Sequence, residues 1–249
     1  MFFCNFARRI TKYFLFLVSH FYFISYLCTQ NGKLMAKNLK WQDDYWLLLM
    51  QIYLRRPIGV KPVYCREIVK LALELHIHPQ VLAAKMQELS SLETPRVERI
   101  WQTYSGNPRK LARAARLLRE MKGFGRAGDF YDGVELNQTW EKDWEPLPEN
   151  SSLTPVVLTL VLDLYFRLTP ATMVKKTPEV QELARLVKIS TDDVVELLEV
   201  FQHCDPYLNR RDVTFSPLLL PCQTIWQRYG NGDTEQLSLL AEQLKAYYA

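Results

Sequence analysis

The side chains best placed to do chemistry in this sequence are arginines. Arg109, Arg113, Arg116 and Arg119 recur at three- and four-residue spacing, with Lys122 and Arg126 beyond them and Glu120 as the acid of that stretch. On a helix this spacing keeps the guanidinium groups along one side. Leu111, Ala114, Leu117, Leu118 and Met121 then fall on the other side and form the expected buried face. A row of cations a turn apart is what neutralises the phosphates of a nucleic-acid backbone. A solvated arginine face is the bland alternative. Lys85, on a separate predicted helix, is a secondary contact of the same kind.

Other chemistries find less support. Nucleophilic catalysis needs a base beside an activated Ser or Cys, and neither a G-x-S-x-G run nor a Cys/His signature is present. The acidic pairs Asp43-Asp44 and Asp192-Asp193 lie at expected helix starts, where the helix dipole favours carboxylates. Gly123-Phe124-Gly125-Arg126-Ala127-Gly128 spells the dinucleotide fingerprint, but that mechanism needs a strand before it and a helix after it. Here a basic helix precedes and Asp129-Phe130-Tyr131-Asp132-Gly133 follows, so the run is expected to stop a helix. His76 and His78, or His203 beside Cys204, lack a second pair that would complete a metal site. Five cysteines with no C-x-x-C spacing fit a reducing, cytoplasmic compartment. No enzyme activity, no cofactor and no metal is expected.

The elements that must position the arginines read as helices. Leu, Ala, Glu, Lys, Arg and Gln dominate most segments, while 249 residues hold only 9 glycines and 13 prolines. Sliding the chain by 112 positions superposes residues 48–94 on 160–206 without a gap. Leu48 meets Leu160, Tyr53 meets Tyr165, Arg55 meets Arg167, Glu67 meets Glu179, Leu71-Ala72 meets Leu183-Ala184 and Ile77 meets Ile189. Further on, Ile100-Trp101-Gln102 answers Ile225-Trp226-Gln227. The expected fold is all-α, with two repeated helix-turn-helix-like domains packed together.

In each repeat a first helix, about Asp43–Arg55 and Pro155–Leu168, is apolar nearly all round and should be central. A second helix spans about Val63–Leu75 and Pro178–Val187, the latter opened by a Thr177-Pro178 cap. After a three-residue turn a third begins at Pro79 and after Ser190. Helix, short turn, helix is shared by nucleic-acid readers and by plain helical hairpins, and the spacing does not choose between them. Closing helices run from about Asn107 to Lys122 and from Thr234 to Tyr248.

The domains so defined are a hydrophobic extension over 1–34, a basic repeat over 35–122, an aromatic and acidic linker over 123–152 and an acidic repeat over 153–249. Residues 13–28 carry no charge, yet sixteen residues fall short of a membrane span. Translation is expected to start at Met35, a membrane anchor being the alternative. The linker's Phe124, Phe130, Tyr131, Trp140 and Trp144 should strap it to the helices. Charge is split. Residues 41–126 carry fifteen basic against eight acidic side chains, residues 127–249 ten against nineteen. The first repeat is therefore the expected polyanion binder, and the second, with Asp192, Asp193, Glu196 and Glu199 on its third helix, is expected to contact protein or a second copy.

Leu164-Tyr165-Phe166-Arg167-Leu168, Pro178-Glu179-Val180, Glu182-Leu183-Ala184, Phe201 and Asp205-Pro206 resemble a helical domain that precedes HNH nuclease modules in bacterial proteins assigned as restriction endonucleases. Ile52-Tyr53-Leu54-Arg55, Ala84-Lys85-Met86 and Ser91-Leu92-Glu93-Thr94 echo it in the first repeat. The resemblance implies a bacterial, DNA-associated domain. Four histidines scattered at His20, His76, His78 and His203 supply no nuclease centre, so what is implied is a non-catalytic accessory or regulator. A helical protein-interaction scaffold without a nucleic-acid role is the competing expectation.

Overall fold

A computed structural model describes residues 41–124, 140–208 and 216–249. The hydrophobic extension over 1–34, Phe130 and Tyr131 of the linker, and Gly125–Gly128 of the glycine run lie outside the described residues. What is described is all-helical, without a strand: α1 Tyr45–Tyr53, α2 Arg66–Leu75, α3 Pro79–Ser91, α4 Pro95–Tyr104, α5 Pro108–Glu120, α6 Pro155–Arg167, α7 Pro178–Val187, α8 Thr191–Cys204, α9 Leu219–Ile225 and α10 Thr234–Lys245. A 3-10 turn, Trp140–Trp144, precedes α6, and α9 runs on into a wider π turn, Trp226–Gly230. No helix among the described residues is long and apolar enough to cross a membrane.

The helix starts follow from side chains that satisfy the free N–H groups of the first turn. Thr94 and Thr154 hydroxyls accept from the N–H groups of Val97 and Val157, each at 3.3 Å, and proline follows each cap. Ser190 and Asp193 cap α8 reciprocally, at 3.0 and 3.1 Å. Thr177 departs from expectation: its hydroxyl donates to the Thr172 carbonyl and does not cap α7. Three described helix ends use a left-handed residue that is not glycine. Leu92 (φ 52°) ends α3. The other two occupy matching places, His76 (φ 54°) ending α2 and Lys188 (φ 63°) ending α7. The following N–H groups, of Ile77 and Ile189, return to Ala72 and Ala184 carbonyls at 3.0 and 3.1 Å.

The core is organised by α1 and α6. Every residue of α6 from Val156 to Tyr165 is buried, and α7, α8, α9 and α10 all pack on it. α1 buries Tyr45, Trp46, Leu48, Leu49, Met50 and Ile52 beneath α2, α3, α4 and α5. Tyr53 meets Trp101 edge-on with ring centroids 5.7 Å apart, and Tyr165 meets Trp226 in the same manner at 5.7 Å. A β-carbon at Gly230 would lie 2.5 Å from the Trp226 ring, so only glycine lets the π turn close over that tryptophan.

The linker's described end is held between the two halves. Trp144 lies 6.1 Å from Tyr64, ahead of α2, and 4.8 Å from Tyr247, beyond α10. Trp140 packs against His78 at 5.4 Å. Glu141 bonds His76 at 3.0 Å, and Asp143 accepts from Arg228 at 2.7 Å. Tyr64 and Val69 of the first half belong to the same buried cluster as α6–α10.

Trp144→Ala should therefore cost about 2 kcal/mol of stability, read from urea midpoints, because a half-buried indole is removed from a seam with no replacement. A loss below about 0.5 kcal/mol would show that the strap lies on the surface without supporting it.

The strap also gives stability a pH dependence. The His78 ring nitrogen accepts from the N–H of Gln80 at 3.2 Å, capping α3. Burial holds this imidazole below its usual 6.5, an effect that nearby Asp143 partly opposes. The folded chain thus takes up the proton less readily than the unfolded chain, so this contribution is complete above pH 6.5 and declines as pH falls below it. Denaturation midpoints should drop on acidification through that range. His78→Asn, which keeps a capping oxygen but cannot titrate, should show a shallower drop.

Candidate nucleic-acid interface

Helix α5 is fixed by a narrow apolar seam. Leu111, Ala115 and Leu118 are buried, and α5 packs on α1. Asn107 caps the helix through its side-chain oxygen, which accepts from the Lys110 N–H at 3.0 Å, and Pro108 follows. The expected apolar face is corrected here. Leu117 is 53% exposed and Met121 61% exposed, while Ala115 takes the central buried place. A small residue at the contact lets two helices approach closely, and that selects a three-residue seam rather than a broad one.

The four arginines divide into two kinds. Arg109 and Arg113 are exposed and take part in no ion pair among the described residues. Lys110, between them, lies 5.2 Å from the Tyr104 ring centroid. Arg116 pairs with Glu120 at 3.3 Å. Arg119 makes a two-pronged contact with Glu74 of α2, Nε to Oε1 at 2.5 Å and Nη2 to Oε2 at 3.0 Å. That hydrogen bonding pushes the Arg119 pKa still higher and neutralises its charge locally. The unpaired arginines of this row therefore lie in the first two turns of α5.

Lys85 faces the protein. Its ammonium bonds both Glu88 oxygens, at 2.7 and 2.8 Å, and lies 5.8 and 5.6 Å from the Trp41 and Trp46 ring centroids. The exposed positions of α3 are instead uncharged: Gln80, Ala84, Gln87, Ser90 and Ser91. Between the start of α1 and α4 lies an open cleft of about 330 Å³, lined by Asp43, Asp44, Arg96 and Arg99 with Leu47, Ile100 and Tyr104. Arg96 and Asp43 pair across it at 3.1 Å, leaving its charge balanced.

The second half presents acids on its outer faces. On α8, Asp192 pairs with Lys175, Glu196 accepts from the Ser216 hydroxyl at 3.3 Å, and Glu199 is exposed. Helix α10 buries Leu237, Ala241 and Leu244, the same Leu, Ala, Leu spacing as in α5. Its outer face carries Glu235, Leu239 and Glu242, where α5 carries Arg109, Arg113 and Arg116.

The described cysteines, Cys65, Cys204 and Cys222, are packing residues. Burial pushes the Cys204 thiol up to about 11 and raises that of Cys222 further, so both stay protonated near neutral pH and are weak nucleophiles. Among the described residues no group of three His, Cys, Asp or Glu side chains could hold a metal ion. In comparisons with known proteins, the chain matches no family model, no curated protein and no solved structure.

Proposed function

We propose that this chain is a non-catalytic, DNA-associated accessory or regulatory protein of the bacterial cytoplasm, built as a tandem duplication. Its first repeat contacts the phosphate backbone and its second contacts protein. The duplication draws support from the matched bounds of α2 and α7, their left-handed ends at His76 and Lys188, and the two tyrosine–tryptophan pairs. The likeness to a helical domain that precedes nuclease modules adds the expectation of a DNA neighbour.

One observation carries the functional part. Two helices with the same buried triad have opposite outer faces, and Arg109 and Arg113 stand on the basic one without a carboxylate partner among the described residues. Unpaired arginines on a rigid helix are free to replace condensed counterions on DNA. Arg116 and Arg119 contribute less, since each must first leave a glutamate. The exposed Leu117 and Met121 favour the second reading, a protein-interaction scaffold.

A salt titration of DNA binding tests the choice. Arg109→Gln with Arg113→Gln should weaken binding on all sequences and flatten the log–log salt slope by about 0.9 for each phosphate no longer neutralised. Thermal stability should stay unchanged, because both side chains are solvated. Arg119→Gln should have a smaller effect on binding and lower stability by up to about 1 kcal/mol through loss of the Glu74 pair. Glu196→Gln should not reduce binding. If the wild-type chain is not retained on DNA even at low salt, the scaffold reading replaces this one.

A further inference from the structure

We infer that α5 of one copy docks against α10 of a second copy, arginine face to glutamate face. The two surfaces are complementary in charge at their outer positions. On α5, Arg109, Arg113 and Arg116 stand at i, i+4 and i+7, with Leu117 beside them. On α10, Glu235, Leu239 and Glu242 stand at the same spacing. The outer charges of each face are thus about 10 Å apart along their helices.

Laid antiparallel, Arg109 meets Glu242 and Arg116 meets Glu235, while Leu239 lies against Arg113 and Leu117. Antiparallel helices also bring the positive N-terminal end of α5 to the negative C-terminal end of α10. The apolar content is matched in kind: Leu117 is 53% exposed and Leu239 is 52% exposed. Both helices bury their opposite faces within their own half, α5 on α1 and α10 on α6, so the outer faces are presented on fixed supports. Glu242 shares its charge with Lys245 and Arg116 with Glu120, so the end contacts exchange one partner for another, and Arg109 and Glu235 supply charges that no described ion pair uses.

This contact goes beyond the DNA-associated function proposed above and competes with it. A glutamate face with this spacing occupies the arginines that would otherwise meet phosphate. DNA should therefore disperse the assembly, and the assembly should hold the DNA surface closed in its absence.

Sedimentation velocity on the full chain without nucleic acid tests the contact directly. At about 0.05 M salt the chain should sediment as a dimer or larger species, and at about 0.5 M salt it should move toward monomer, because screening shortens the reach of exposed charges. Association through apolar surface alone would strengthen with salt. The variant Arg109→Glu/Arg113→Glu/Arg116→Glu and the variant Glu235→Lys/Glu242→Lys should each associate at least about tenfold more weakly at low salt. Mixed together, the two should regain association, since each then meets a complementary face; that recovery also shows that both variants are folded. A wild-type chain that is monomeric at low salt, association that the reversals leave unchanged, or a mixture that stays monomeric would each overturn the contact. DNA plays no part in the measurement, so such a failure leaves the DNA proposal standing.

Discussion

The structure depends on two helices that are apolar around most of their circumference. A helix with one apolar stripe can rest on a surface, but one that is apolar around its circumference has to be enclosed. Helix α6 meets this condition from Val156 to Tyr165, and α1 nearly so. Each fully buried Leu or Val contributes on the order of 1.5–3 kcal/mol, so exposing even one side of α6 would remove free energy comparable to a small domain's net stability. The surrounding helices are short and one-sided because that is what enclosing a central rod requires. The charged exception within α6 has a local cause. Asp163 has a side chain only 3% exposed, and Arg167 one turn later reaches it at 2.7 Å while remaining half in solvent. The pair keeps a buried carboxylate from standing alone, which would cost several kcal/mol.

Enclosure does not finish at the edge of each half. Tyr64 and Val69 join the cluster built on α6, and Arg66 lies 5.6 Å from the Tyr247 ring centroid. The Trp140–Trp144 turn closes the rim of that seam. Its ion pairs, His76 with Glu141 and Arg228 with Asp143, are partly solvated and add little net energy. Their use is to set position. The stabilisation comes from the indole of Trp144 between two tyrosines.

Much of the fold is legible in the sequence because its signals are local. Pro155, Pro178 and Pro79 begin helices as their fixed φ predicts, and the all-round apolar pattern of α1 and α6 foretells their central place. What stays hidden depends on neighbours distant in sequence. No local rule shows Glu74 reaching Arg119 across 45 residues, because helical spacing compares a residue only with its own turns. Lys85 reads as a secondary phosphate contact, but the Trp41 and Trp46 rings and Glu88 turn it inward. The left-handed ends at His76 and Lys188 carry no glycine to announce them. Hydrophobicity alone places Leu117 and Met121 in the core, whereas packing on α1 needs the smaller Ala115.

That last difference separates two kinds of information in one helix. Leu111, Ala115 and Leu118 on α5, and Leu237, Ala241 and Leu244 on α10, meet the demands of a central helix, which tolerates little change of volume. The positions between them face solvent, where substitution costs only tenths of a kcal/mol. Charge could therefore change sign between Arg109 and Glu235, and between Arg116 and Glu242, without altering how either helix is seated. A fold that confines its packing constraint to every third or fourth residue leaves the charge of the outer face free to differ between the halves. The split between a basic and an acidic half can thus arise on one architecture without loss of stability.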